Sequence, residues 1–346
     1  MIDKKTVFVL GAGASCPYGY PSGARLREMI CLDGGFWRSY ENYLRDNRSV
    51  HEIRERRSSE VNHFRQIFKK SNIRSIDLFL ANNPKLAPMG KYIIAYEMFR
   101  AEQQSLCGEE AKLTRELLEH SRDRFGPREL LSQALFRGGD WYFYLYNRFI
   151  GVGKDALPDF SDGNLSFITF NYDRSLEHFF YEALRNSFTE VSEDNIVKSL
   201  QKLKILHVYG QIAPLKWQDS EHGVDYRPQI DEPLLSKSAD NIKTIFEQKE
   251  SAELDEARKL LGQADRVVFL GFSYAPENME VLQLPKIISK ATYCYGTAFG
   301  LETREVQDIH GMIMQGLPPQ SHLYINHRFI KIEKDMDSLS LLKNYL

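Results

Sequence analysis

Residues 7 to 23 read VFVLGAGASCPYGYPSG. A short apolar run rich in β-branched residues empties into glycines and small side chains, the pattern of a buried strand delivering a turn to a helix. Gly11 and Gly13 lack a Cβ, so the backbone of Gly11, Ala12 and Gly13 can turn tightly and approach a pyrophosphate. Ser15 adds a hydroxyl donor. The helix expected over SGARLREMI (22–30) offers its positive end to an anion. The dinucleotide fingerprint G-x-G-x-x-G is incomplete, because Cys16 stands where the third glycine belongs. Asp33 lies near the place of a ribose-binding acid, yet MICLDGGFW (29–37) does not read as a second strand. A structural strand-to-helix turn is the other reading of this stretch.

Three further runs share its character: LSFITFNYD (165–173), KILHVYG (204–210) and DRVVFLGFS (265–273). Each packs β-branched and aromatic residues together and ends at Gly, Asn or Asp. Strands apolar on both faces belong inside parallel sheets. The predicted class is therefore α/β: a Rossmann-like parallel sheet flanked by helices. Functional groups of such sheets sit at the carboxyl ends of the strands, where all four runs place glycine or polar chemistry.

Residues between the first and second strands read as a mostly helical inserted subdomain. The charged stretch ENYLRDNRSVHEIRERRSSEVNHFRQIFKK (41–70) opens it, followed by SIDLFLANNP (75–84) and GKYIIAYEMFRAEQ (90–103). In the last of these Ile93, Ile94, Tyr96, Met98 and Phe99 line a helix face. GGDWYFYLYNRFI (138–150) is another helix candidate; its aromatics from Trp141 to Phe149 read as core, with base stacking as the rival. Arg54, Arg56 and Arg57 read as a solvated helix face, with a phosphate or partner contact as the rival. The predicted organisation is a core of residues 1–30 and 160–310, an insertion over 31–159 and a C-terminal extension over 311–346, packed on the core or on a partner. In that extension FIKIEKDMDSLSLLKNYL (329–346) is amphipathic and reads as a core helix or a contact helix.

Composition narrows the function classes. The 346 residues carry a net charge of −2, so no overall basic field draws in nucleic acid or an anionic surface. The amino-terminal apolar run is shorter than the ~7–15 residues of a signal peptide, and no run reaches the ~18 needed to cross a bilayer. A soluble, cytoplasmic protein is expected. The four cysteines, Cys16, Cys31, Cys107 and Cys294, lie far apart without a C-x-x-C pair. Neither zinc nor a disulfide framework is expected, and each thiol reads as a small buried apolar group.

The polar residues at the strand ends carry the chemistry. In TFNYD (169–173), Asn171 and Asp173 are poor strand formers. Asp173 reads as an N-cap for the helix RSLEHFFYEAL (174–184), or as a ligand-facing acid. Asn171 has no capping role and reads as a ligand contact. His207, in HVYGQ (207–211), closes the third strand, and a neutral imidazole with a pKa near ~6.5 accepts a proton at cell pH.

The ordered set GAGAS, TFNYD, HVYGQ and GFS resembles the NAD-consuming sirtuin superfamily, and within it the zinc-less sirtuin-like branch of bacterial anti-phage defence proteins. The resemblance spans residue 6 to about 300. It implies NAD as substrate, its diphosphate on Gly11 to Ser15, Asn171 at the nicotinamide ribose, and Thr169 and Pro21 among the NAD-binding residues. It implies Asp173 at the nicotinamide end, His207 as general base on the ribose hydroxyls, and Gly271 and Ser273 at the adenosine ribose and phosphate. Asn278 and the turn YGTAFG (295–300) are further candidates on that side. Sirtuin deacetylases follow the first turn with Gly-Ile-Pro-Asp-Phe-Arg; here Gly19 and Pro21 match, Ser22, Gly23 and Ala24 depart, and Arg25 falls one position late. The missing Phe and the missing zinc ribbon turn the expectation from acyl transfer to hydrolysis: NAD glycohydrolase activity yielding nicotinamide and ADP-ribose. A protein deacylase and a non-catalytic NAD or ADP-ribose reader stay open as alternatives. The resemblance also implies restraint by homo-oligomerisation or by a protein partner such as a ring-forming ATPase.

Overall fold

Thr6–Leu10 form β1, and every residue in it is buried. The branched and aromatic side chains of this segment fill both faces of a central strand, which is what an all-parallel sheet requires. The computed structural model describes residues 4–31, 51–105, 107, 140–150, 157–245, 247, 251–284, 286–288, 293–315 and 330–346. Asp33, residues 41–50 and the side chains of Arg54 and Arg56 lie outside the described residues.

Six parallel strands run in the order β3-β2-β1-β4-β5-β6, with β2 at Leu165–Thr169, β3 at Lys204–His207, β4 at Arg266–Leu270, β5 at Tyr293–Thr297 and β6 at Ile330–Glu333. Helices flank the sheet, so the architecture is the Rossmann-like α/β fold. The chain steps outward from β1 to β3, then returns to β4 on the other side of β1. The crevice of such a sheet opens at that reversal. Register brings the motifs to one line: Leu10 pairs with Thr169 and Leu270, and Thr169 pairs with His207. Four turns therefore leave the sheet from a common edge.

Two elements differ from the sequence reading. Tyr293–Thr297 is a strand inside the sheet, so the first half of the expected turn YGTAFG, Tyr295 to Thr297, is β5. The glycine within it, Gly296, makes room for Tyr274, whose hydroxyl would lie 2.1 Å from an added Cβ. Likewise the amphipathic segment at the C-terminus is a strand before it is a helix. Ile330 and Ile332 point inward from β6 while Lys331 and Glu333 are half-buried, so the alternation has period two. The helix is confined to Ser338–Tyr345. The sheet thus extends beyond the expected core boundary at 310.

The insertion is helical where described, with helices at His51–Ser71, Ile76–Asn82, Ala87–Gln103 and Trp141–Ile150. Tyr92 through Phe99 are all buried. This helix is enclosed on every side instead of presenting one face, as an all-round apolar helix must be. It packs against Glu232–Asn241 of the core. Arg57 bridges the same two units, its Nη2 lying 2.9 Å from Glu232 Oε1. That arginine is committed to an internal ion pair. Trp141, Tyr142 and Tyr146 of this aromatic cluster are buried in the core, whereas Phe143 is exposed and Tyr144 and Phe149 are half-buried. Among the described residues no helix is long and apolar enough to cross a membrane.

Candidate functional site

The turn after β1 is shaped by its neighbour on β4. Gly11 N–H donates to the Leu270 carbonyl at 3.0 Å, and Gly13 N–H to the Gly271 carbonyl at 3.1 Å. An added Cβ on Gly11 would sit 2.5 Å from Gly271 O, and one on Gly13 would sit 2.8 Å from Gly271 Cα. The glycines expected to cradle a phosphate are thus already required by the β4 turn. From below, Trp141 Nε1 donates to the Ala14 carbonyl at 2.8 Å, so the last described helix of the insertion supports the turn. Ala12, Gly13 and Cys16 are half-buried along its rim, whereas Gly11, Ala14 and Ser15 are buried.

Asn171 leaves the end of β2 and turns back to this support. Its Nδ2 donates to the Gly11 carbonyl at 3.0 Å and to Ser15 Oγ at 2.9 Å. Its backbone N–H is taken by Thr169 Oγ1 at 3.0 Å, and its carbonyl faces His207 Nδ1 at 2.9 Å. The remaining polar atom, Oδ1, is buried and has no hydrogen-bond donor among the described residues. A buried acceptor left open is costly unless a ligand or water completes it. One strand over, Gln211 Oε1 is likewise buried without a donor. The sequence had marked HVYGQ for its histidine alone; a glutamine just past the Gly210 turn was the available signal.

Asp173 is fixed by the helix it introduces. Its Oδ1 accepts from the Ser175 backbone N–H at 3.1 Å and from the Ser175 hydroxyl. This is an Asx turn leading into Ser175–Ser187, whose N-cap position is Arg174 and not Asp173 as the sequence suggests. Burial pushes the Asp173 carboxyl above the usual carboxylate range, although hydrogen bonds from Ser175 and Ser15 pull the other way. Cys16 stands close enough that burial, with the charge of Asp173 adding to it, raises its thiol to about 11.

His207 is held at both ring nitrogens. Nδ1 meets the Asn171 carbonyl, and Nε2 lies 2.5 Å from Glu177 Oε1. Burial disfavours the charged ring, but the Glu177 carboxylate, the Asn171 carbonyl and Asp173 together raise its pKa above the ordinary value. In this arrangement neither nitrogen presents a lone pair to the strand ends, which the general-base role implied by the resemblance would need. Glu177 was not singled out in the sequence. It lies on a helix six positions beyond Asn171, and nothing in local spacing links it to the end of the next strand, 30 positions on.

The other expected site residues are placed less closely. Gly271 abuts the first turn with φ +56°, its N–H held by Thr297 Oγ1 at 2.8 Å, whereas Ser273 is exposed. Pro21 is half-buried beyond Tyr20, whose hydroxyl lies 3.0 Å from that of Tyr226. Asn278 accepts from Tyr209 Oη at 2.8 Å. Near that pair Tyr172 Oη donates to Asp77, whose charge also bears on Tyr209. No family model, curated protein or solved structure matches the chain.

Proposed function

We propose that this protein is an NAD glycohydrolase that cleaves NAD to nicotinamide and ADP-ribose. The single observation that carries the reading is Asn171 Oδ1, a buried acceptor at the carboxyl edge of a parallel sheet that has no donor among the described residues. A ribose hydroxyl supplies the donor it lacks. Gln211 Oε1, four residues past the end of the neighbouring strand, is a second buried acceptor without a donor among the described residues. The sirtuin-like motif order supports NAD as the diol-bearing molecule.

In the reaction the bond between ribose C1′ and the nicotinamide nitrogen breaks, and its electron pair neutralises the pyridinium. Water adds to C1′ and releases a proton. Positive charge grows on the sugar in the transition state, where oriented carbonyl and amide dipoles stabilise it. Consumption of NAD fits an effector of anti-phage defence, and an enzyme that depletes a cell's NAD calls for restraint by self-assembly or a partner protein.

A binding module is the second reading, favoured by the engagement of both His207 nitrogens. Incubation of purified protein with NAD, with products separated by chromatography, tests both. Nicotinamide and ADP-ribose from the wild type, with none from Asn171→Ala, is the expected result. ADP-ribose binding without NAD loss establishes the module instead, and neither binding nor turnover removes the proposal.

A further inference from the structure

We infer that His207 is a positioning residue and Glu177 its partner: the pair clamps the Asn171 carbonyl so that Asn171 presents Oδ1 to the ligand, and His207 does not take the reaction's proton. The inference rests on the NAD reading above and revises what its most conspicuous histidine does.

Asn171 has four polar groups, and three are immobilised by the protein. Thr169 Oγ1 holds the N–H, Gly11 O and Ser15 Oγ hold Nδ2, and His207 Nδ1 holds the carbonyl. That leaves Oδ1 fixed in direction and free in valence. A site whose reactive contact is oriented by its supporting shell has this form.

The clamp cannot easily be released. A carbonyl oxygen accepts hydrogen bonds and never donates, so Nδ1 must carry the proton in that contact. The remaining proton is shared between Nε2 and Glu177 Oε1. The two side chains are 8% and 2% exposed, so a His207 that swung away would leave a carboxyl group buried without its partner. Nor does the neighbouring cation on the same chain segment replace it. Arg174 places Nε 2.9 Å from Glu102 Oε2 and Nη2 2.8 Å from Glu102 Oε1. Flipping the ring by half a turn puts carbon atoms at both acceptors and forfeits both bonds.

The test compares His207→Gln, His207→Ala and Glu177→Gln in the full chain. A glutamine amide donates to the Asn171 carbonyl but is no base at neutral pH. His207→Gln is expected to keep NAD turnover within about tenfold of wild type, while His207→Ala falls at least about a hundredfold in kcat. Glu177→Gln preserves an acceptor for the ring and is expected to lose about tenfold or less. If His207 were the base, His207→Gln would be as inactive as His207→Ala. Glu177→Gln would then lose on the order of 10⁴, as when a triad histidine loses its orienting carboxylate.

A second measurement needs no turnover. With ¹⁵N-labelled histidine, the ring signals that disappear in His207→Gln report the state of this residue in the free protein. Protonated Nδ1 at pH 7 is expected; a bare Nδ1 overturns the clamp. A wild type that fails to consume NAD removes the proposed function, while the nitrogen signal still decides the clamp.

Discussion

Gly13 and Gly271 occupy a space that admits backbone and nothing larger. A Cβ on Gly271 would lie 2.0 Å from Ala14 N and 2.2 Å from the Gly13 carbonyl carbon, and Gly271 also has φ +56°. Both obstacles are backbone atoms, which cannot step aside as a flexible side chain does. Gly271→Ala is expected to destabilise the protein by more than the ~1–2 kcal/mol of left-handed strain by itself. Chemical denaturation measures the loss, and Gly23→Ala, where nothing lies within 4 Å of an added Cβ, is the matched control.

Arg174 and Glu102 are both 0% exposed and joined at 2.8 Å. Arg174 also donates to the carbonyls of Pro214, Val224 and Asp225, and the Arg227 N–H reaches Glu102 Oε1 at 2.7 Å. The pair fastens the insertion helix Ala87–Gln103 to the loop after β3. Removing one partner strands the other in the interior, so Glu102→Ala is expected to cost about 3–5 kcal/mol. Urea midpoints check this, and the paired replacement Arg174→Met with Glu102→Leu is expected to recover little of the loss, because the carbonyls of Pro214, Val224 and Asp225 lose their donor and the Arg227 N–H its acceptor.

His178 stacks on Tyr226 with centroids 3.7 Å apart. Burial, followed by the charges of Arg227 and Arg174, lowers its pKa from 6.5 to about 3. The folded protein therefore keeps the ring neutral while the unfolded chain binds a proton, and stability falls as pH drops from 6.5 toward 3. His178→Phe is expected to retain the stacking and flatten that acid-side slope in thermal melts. His207 has the opposite sign. Its raised pKa stabilises the fold below the unfolded value near 6.5, a contribution lost as pH climbs through the folded value.

Thiol chemistry follows from placement. Cys31, Cys107 and Cys294 are buried, and half-buried Cys16 has its thiol raised to about 11. A thiol reacts as the thiolate. Native protein at pH 7.5 is expected to label with iodoacetamide at least about a hundredfold more slowly than a free cysteine. In urea all four cysteines should label. Fast labelling of Cys16 in the native protein would contradict the packing around Asp173.

The strands β1 to β4, the helices at Ile76–Asn82, Ala87–Gln103 and Trp141–Ile150, and the start of Ser175–Ser187 were legible from composition and periodicity. These are local properties: a run such as VFVL or RVVFL cannot be soluble on either face, so it must lie inside a sheet. β5 and β6 were hidden because Tyr293–Thr297 contains a glycine and Ile330–Glu333 alternates polar and apolar residues beside a helix. Asn171 was legible because an amide at the end of an apolar strand has no local partner to justify it.

The sequence by itself determined the α/β class and the polar ends of its apolar strands, since each depends on residues within a few positions of one another. Tertiary structure decided what those groups touch. It set Gly271 against Gly13, joined Glu102 to Arg174 across 72 positions, and brought Glu177 to His207 across 30. Such contacts depend on strand order and register, and those are fixed by how the whole sheet buries its apolar surface. A hydrogen-bond acceptor cannot announce in one dimension which donor the fold will bring to it.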